Sequence, residues 1–240
     1  NNARSKRYLF PTKPCCVSLS VPPLVVIEYK DDATAFDGKK KGTIESKGIV
    51  NNRVTSVLFK ILEDNGIPTH LVKLLDGRNM LAKKLSIIPV EVVVRNRIAG
   101  SLATRLGLEE GAPLPNPILE FYYKSDELHD PMVNEYHILT MGWATPEQLA
   151  EMKEMALKIN SVLVPFLRER NLELVDFKLE FGVHQGKVIL GDEISPDTCR
   201  LWDVQTGEKL DKDRFRRDLG KEREAYIEVL QRMEGGSLNV

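Results

Sequence analysis

Between residues 174 and 197 the chain reads LVDFKLEFGVHQGKVILGDEISPD. Asp176, Lys178 and Glu180 recur at every second residue of an otherwise apolar run, and Asp192 and Glu193 close the run that returns. Alternate side chains of an extended strand share a face, so the three charges at 176–180 stand on one side. Carboxylates facing each other on neighbouring strands repel unless a cation lies between them. Oxygen ligands of this kind suit Mg²⁺, which takes one or two carboxylates together with substrate phosphates, and a lysine beside them suits a phosphate. A three-residue turn at 185–187 sets Glu180 opposite Asp192. A two-residue turn, Gln185-Gly186, sets it opposite Gly191, and the pattern leaves both registers open. The plain alternative is an exposed sheet face carrying ordinary ion pairs.

A second polar group lies in IIPVEVVVRNRIAGSLATRLG (87–107). An apolar strand runs into Arg95 and Arg97, and Ala99-Gly100-Ser101 opens a short helix. Free backbone N–H groups and a hydroxyl at a helix start receive anions, and arginine adds two-pronged contacts to phosphate or carboxylate. Taken alone, the same residues read better as a helix cap beside surface arginines. Lys124, His129 and Asp130 fall in the polar stretch KSDELHDP (124–131), and the Ser-Pro-Asp turn at 195–197 delivers Arg200 just after the acidic strand. Arg214, Arg216 and Arg217 form a charge run that pattern alone assigns to a solvated face. The four histidines, at 70, 129, 137 and 184, lack metal-ligand spacing. No GxSxG, GxGxxG or GxxxxGKS/T occurs, which removes the nucleophile-elbow, dinucleotide and P-loop routes.

The elements that must position these residues follow from periodicity and punctuation. LVVIEYK (24–30) and PVEVVVRN (89–96) read as strands, and IPTHLVKLL and NMLAKKLSII as strands or strand fragments. The stretches 31–48 and 111–117 read as loops, the first polar and the second proline-rich. Val54, Val57, Leu58, Ile61 and Leu62 share one face of a helix over 49–64, stopped by Asn65-Gly66. Thr145, Pro146 and Gln148 form a capping-box start for a helix whose apolar face runs from Leu149 to Phe166. A last helix covers 212–233. Strands and helices segregate rather than alternate, so the fold class is α+β and not a doubly wound sheet.

With 240 residues and a net charge of −1, the chain suits one large domain or two lobes. Near-neutrality argues against nucleic acid as the main partner, and no run approaches the roughly 18 apolar residues of a membrane helix. The apolar run at 24–29 is too short for a secretory leader. Cys15, Cys16 and Cys199 make neither a disulfide framework nor a zinc pair, and the expected location is cytoplasmic.

IIPVEVVVRNRIAGS, DPMVNE, LVDFKLEFG and GDEISPDTCRLWD together resemble the phosphoribosylaminoimidazole-succinocarboxamide synthase (SAICAR synthetase) family over residues 24–233. The resemblance implies two lobes: a small antiparallel β-rich N-terminal lobe (1–85) and a larger α+β lobe (86–240), with a kinase- or ATP-grasp-like ATP cleft between them. It implies an ATP- and Mg²⁺-dependent ligase that joins the carboxylate of carboxyaminoimidazole ribonucleotide (CAIR) to the amine of L-aspartate. It also implies a homo-oligomer, with a dimer favoured.

By the same resemblance Glu180 and Asp192 are the Mg²⁺–ATP carboxylates, which selects the three-residue turn. Lys124 and Lys178 lie near the phosphates and the reacting carboxylate. The strand around Lys83, Lys84 and Leu85 holds adenine. Arg95, Ser101, Asp130 and Arg200, with Arg216, make the ribonucleotide site, and Asp37 is an active-site loop residue. Asp176 is expected to orient Lys178, and Glu193 to face the other side of the sheet. Before residue 24 the family's phosphate-covering Gly-Lys-x-Lys turn has no clean counterpart. An ungapped match places PTKP (11–14) there, and a preferred gapped one places ARSKRYLF (3–10). Competing functions are another ATP-dependent phosphotransferase and a non-catalytic nucleotide-binding protein.

Overall fold

The computed structural model describes residues 23–35 and 38–235, and the backbone of 6–9. One sheet has the antiparallel order β1-β2-β6-β5, from Lys6–Leu9, Leu24–Tyr29, Asn79–Lys83 and Leu71–Leu74. Alternation in β2 buries Val25, Ile27 and Tyr29, which pack with Met80 and Ala82 into a small core of their own. β1 pairs Lys6 with Tyr29 and Leu9 with Val26, so 3–10 contains the edge strand. PTKP, Cys15, Cys16 and Asp37 lie outside the described residues.

The second sheet runs β11-β10-β7-β8-β9 and carries the larger core. Its strands are β7 (Ser86–Arg97), β8 (Pro113–Tyr123), β9 (Met132–Val133), β10 (Leu172–His184) and β11 (Lys187–Leu190), and β12 (Cys199–Asp203) pairs the first half of β10. Helix α1 (Lys47–Asp64) buries Val54, Leu58 and Leu62 in this larger core. Helix α4 (Pro146–Arg168) starts with the expected capping box: Gln148 N–H donates to Thr145 Oγ1, and Thr145 N–H to Gln148 Oε1. No helix of the described residues is long and apolar enough to cross a membrane.

Four local expectations are corrected. The stretch 31–48 is not a loop. It holds the hairpin β3 (Asp32–Ala35) and β4 (Lys40–Thr43), then the start of α1. Ala33 and Ala35 turn inward while Lys40 packs over the Phe215 ring, contacts too distant in sequence for a local pattern. The proline-rich stretch 111–117 enters β8. Its partner β9 pairs only with Phe121 and Tyr122, so Pro113, Pro115 and Pro117 leave no ladder bond unmade on that outer edge. The last helix is two: α5 (Asp213–Arg216) and α6 (Glu222–Glu234), separated where Asp218, Gly220 and Lys221 take positive φ.

The hairpin register is the fourth correction. His184 pairs with Lys187, so the turn has two residues, Gln185 and Gly186, both at positive φ as a type I′ turn requires. Phe181 faces Leu190, and Gly191 N–H donates to Glu180 C=O, so Gly191 rather than Asp192 lies against Glu180. Asp192 follows beyond the ladder at φ 53°.

Candidate active site

A cleft of about 930 Å³ opens between the two sheets. That is room for more than one small ligand. Its floor is the shared face of β7 and β10. Asp176, Lys178 and Glu180 all line it, as their two-residue spacing requires, and Asp192 reaches it from beyond β11. On the antiparallel ladder Glu180 is the direct partner of Glu91. Both are buried, and two lysines separate their charges. Lys178 Nζ lies 2.5 Å from Glu91 and 3.4 Å from Glu180, and Lys124 contacts Glu180 closely and stands 3.8 Å from Glu91. Burial raises the Glu91 carboxyl above its ordinary range, against the pull of Lys178. Burial would lower the Lys178 ammonium, but Glu91, Glu180 and Asp192 outweigh it and hold the pKa above normal. Lys178 is therefore a fixed cation, not a proton donor near neutral pH.

Two strand residues away, an arginine cluster occupies the same face. Arg95 donates from Nε to Glu120 and from Nη1 to Asp176, each at 2.7 Å, and from Nη2 to Ser101 Oγ at 3.0 Å. Ser101 accepts this bond, which leaves its own proton for a ligand oxygen. Arg200 Nη1 donates to both oxygens of Asp176, at 2.9 and 3.1 Å, and its Nε to Asp213 at 2.9 Å. Arg216 donates to Asp213 at 2.6 Å. Burial would raise the Asp213 carboxyl, but Arg200 and Arg216 hold it down at about 2. Gly100 sits at φ 53° beside Arg200, and a Cβ there would lie 2.6 Å from the Arg200 Cζ. Glycine is what lets the guanidinium meet the start of α2 (Gly100–Leu106).

Asp176 thus orients Arg95 and Arg200, not Lys178. That corrects the expected role, because the nearer cations on β7 and β12 take its oxygens. Glu193 does not turn away. It lines the cleft and accepts from Ser195 Oγ at 2.7 Å, since the chain has left the strand alternation by that point. Lys83, Lys84 and Leu85 form the rim where β6 passes to β7. Lys83 N–H donates to His70 C=O and Lys84 N–H to Pro23 C=O. Leu85 packs against the hairpin at Gly182 and Gly191, where any Cβ would lie within 3 Å of its side chain. Asp130, at φ 45°, lines the far side and accepts from Ser125 N–H at 2.8 Å.

Sequence reasoning missed several cleft residues. Glu91 was as visible as Glu180, a charge inside the apolar run VEVVV. Asp197 of the Ser-Pro-Asp turn and Lys212 also line the cleft, and Lys47 is buried behind them; no local pattern joined the three. Asp197 accepts from buried Lys47 at 2.8 Å and from Tyr226 OH at 2.7 Å, and Lys212 lies 3.9 Å away. Burial would raise the Asp197 carboxyl, but the two lysines hold it well below the usual range.

A cleft between two sheets, floored by paired carboxylates and lysines and with an arginine cluster at one end, has the features of an enzyme that handles charged ligands. The SAICAR synthetase family profile matches residues 18–233. A phosphoribosylaminoimidazole-succinocarboxamide synthase from Desulfitobacterium hafniense (strain Y51) is 62% identical over 208 residues, 87% of each chain. The crystal structure of the same-named enzyme from Ehrlichia chaffeensis superposes with a TM-score of 0.92 at 45% identity, covering 99% of both chains. A SAICAR synthetase solved in complex with ADP gives a TM-score of 0.92 at 44% identity, over 100% of this chain and 99% of that one. The chain belongs to the SAICAR synthetase family.

Proposed function

We propose that the protein ligates CAIR to L-aspartate, forming SAICAR, ADP and phosphate in purine biosynthesis, through an acyl phosphate. The observation that carries this reading is the order of groups along one face of β10. Asp176 with its arginines, Lys178, and Glu180 follow one another at roughly 7 Å per step. A ribonucleotide phosphate seated by Arg95, Arg200 and Ser101, with Asp130 and Arg216 nearby, places its base and carboxylate over Lys178. ATP held along Lys83, Lys84 and Leu85 directs its phosphates at Glu180 and Asp192.

A carboxylate is a poor electrophile until phosphoryl transfer gives it a leaving group. Lys178 and Lys124 face the charge that grows on the transferring phosphoryl, and the lobes exclude the water that would hydrolyse the product of that step. The aspartate amine then attacks the activated carbon and phosphate leaves. Among the described residues no three His, Cys, Asp or Glu side chains converge to hold a metal alone. Glu180 and Asp192 both line the cleft and are the residues that would hold a Mg²⁺ shared with nucleotide phosphates, with Lys124 and Lys178 then turned toward those phosphates. Bound there, the ion would offset charge on the phosphate oxygens.

The lobe boundary near residue 85, between the end of β6 and the start of β7, the active-site role of Asp37, a homodimeric assembly and residence in the cytoplasm belong to the same proposal. A phosphate-release assay with CAIR, aspartate and Mg–ATP tests it. Product that requires all three supports the ligase, whereas phosphate release at the same rate without aspartate overturns it.

A further inference from the structure

Besides Asp176 and Asp213, a third carboxylate holds the arginine end of the cleft. Glu120 lies on β8 opposite Val93 of β7 and is 3% exposed. Its Oε2 accepts from Arg95 Nε at 2.7 Å and from Tyr122 OH at 2.8 Å, and its Oε1 accepts from Arg105. These donors come from three elements, Arg95 from β7, Tyr122 from β8 and Arg105 from α2. Arg95 and Tyr122 line the cleft, and Arg105 stands one turn beyond Ser101 on α2. One buried group therefore ties the guanidinium, the phenol and the helix carrying Ser101 to a common point.

The geometry of the guanidinium makes this tie specific. Its five donors form a rigid fork, so committing Nε to Glu120 and Nη1 to Asp176 leaves the Nη2 edge facing Ser101 and Tyr122, at 3.0 and 3.3 Å. Burial would raise the Glu120 carboxyl, but Arg95, Tyr122 and Arg105 hold it below the usual range, so it stays an acceptor.

We propose that Glu120 is a positioning residue for phosphate recognition: without touching the ligand, it fixes which edge of Arg95 and which face of α2 are turned toward the ribonucleotide phosphate. The inference rests on the reading of this end of the cleft as the phosphate pocket. The variant Glu120→Gln keeps the shape and loses the charge. The expected result is a rise of about tenfold in the KM for CAIR, with kcat and the KM values for ATP and aspartate within about twofold of wild type. Tyr122→Phe, which leaves the carboxylate in place, gives a rise of about threefold in the same constant. In an Arg95→Gln background, adding Glu120→Gln costs clearly less than it does alone, because part of its effect passes through Arg95. Equal losses for all three substrates, or penalties that add in the double variant, overturn the inference. If the wild type performs no ligation, the functional reading fails by itself, and the positioning role is then read from calorimetric binding of ribose 5-phosphate and ADP. Weakening of the first alone by Glu120→Gln upholds it, and equal weakening of both overturns it.

Discussion

Replacing Glu180 with glutamine separates what this carboxylate does for the fold from what it does for the reaction. Its buried partner across the ladder is Glu91. Opposed side chains on such a pair have Cβ atoms about 5 Å apart, and two like charges at that distance repel by roughly 3 kcal/mol at an effective dielectric constant near 20. Against this, Lys178 at 3.4 Å gives Glu180 an attraction of roughly 5 kcal/mol on the same scale. The substitution also removes the contact with Lys124, whose side chain is 35% exposed, so that pair is screened and counts for less. A neutral amide lowers the desolvation cost of the site as well. These terms nearly cancel, and the expected stability change is within about 2 kcal/mol, a shift in Tm of less than about 8 °C for a chain of this size. Activity behaves differently. On the proposed reading the variant loses a metal-ligand oxygen and a charge beside the transferring phosphoryl, and kcat is expected to fall by about 10²–10³. Calorimetry or thermal fluorescence gives Tm, and the coupled assay with CAIR, aspartate and Mg–ATP gives kcat. Ligation by Glu180→Gln at near wild-type rate refutes the assignment of this carboxylate to the nucleotide's metal. A large fall in Tm alongside lost activity refutes the energetic argument instead.

Three further outcomes are expected. Lys47→Met leaves the buried Asp197 carboxylate without its nearest cation, and should cost about 3–5 kcal/mol in denaturant unfolding. Gly100→Ala forces a Cβ into the Arg200 guanidinium at a positive-φ position, and should raise the CAIR KM by about tenfold or more while the ATP KM stays unchanged. Buried Asp211 has its pKa pushed up to about 7 by burial and by neighbouring Asp213, although two backbone N–H groups oppose the rise. An acid whose pKa rises on folding stabilises the fold fully below its unfolded value of 3.8, and this contribution is lost as pH rises through about 7. The stability of wild type relative to Asp211→Asn should therefore fall between about pH 4 and about pH 7 and level off above, by a few kcal/mol at most, and a constant difference in urea unfolding refutes the shift.

What the chain disclosed of itself depended on the range of the interaction. Alternation along β10 was local, and it correctly placed Asp176, Lys178 and Glu180 on one face. The capping box of α4 was equally local. The turn was ambiguous because glycine at 186 serves both loop lengths, and the ladder to β7 and β11 decided between them. Pro113 through Pro117 looked like a loop because the sequence does not say which strand edge is free. Lys124, Arg95, Ser101, Asp130, Arg200 and Arg216 reach one cleft with Lys83–Leu85, but only motif likeness, not periodicity, linked segments so far apart. Glu120, Lys47 and Asp197 went unread because each acts through a distant partner, 25 residues away for Glu120 with Arg95 and 150 for Lys47 with Asp197.

The pairing inside the cleft has a consequence for what can bind there. Arg95, Arg200, Arg216, Lys124 and Lys178 each already hold a carboxylate. An arriving anion does not fill a positive hollow; it exchanges with a resident acid that stays a few ångströms off and repels it. A small anion such as free phosphate or chloride gains little from that trade. A large ligand that also brings a ring, a sugar and a second charged group recovers the difference through its other contacts. The cleft thus works as a selective ion exchanger, quiet toward the salts of its surroundings and responsive to long, multiply charged molecules.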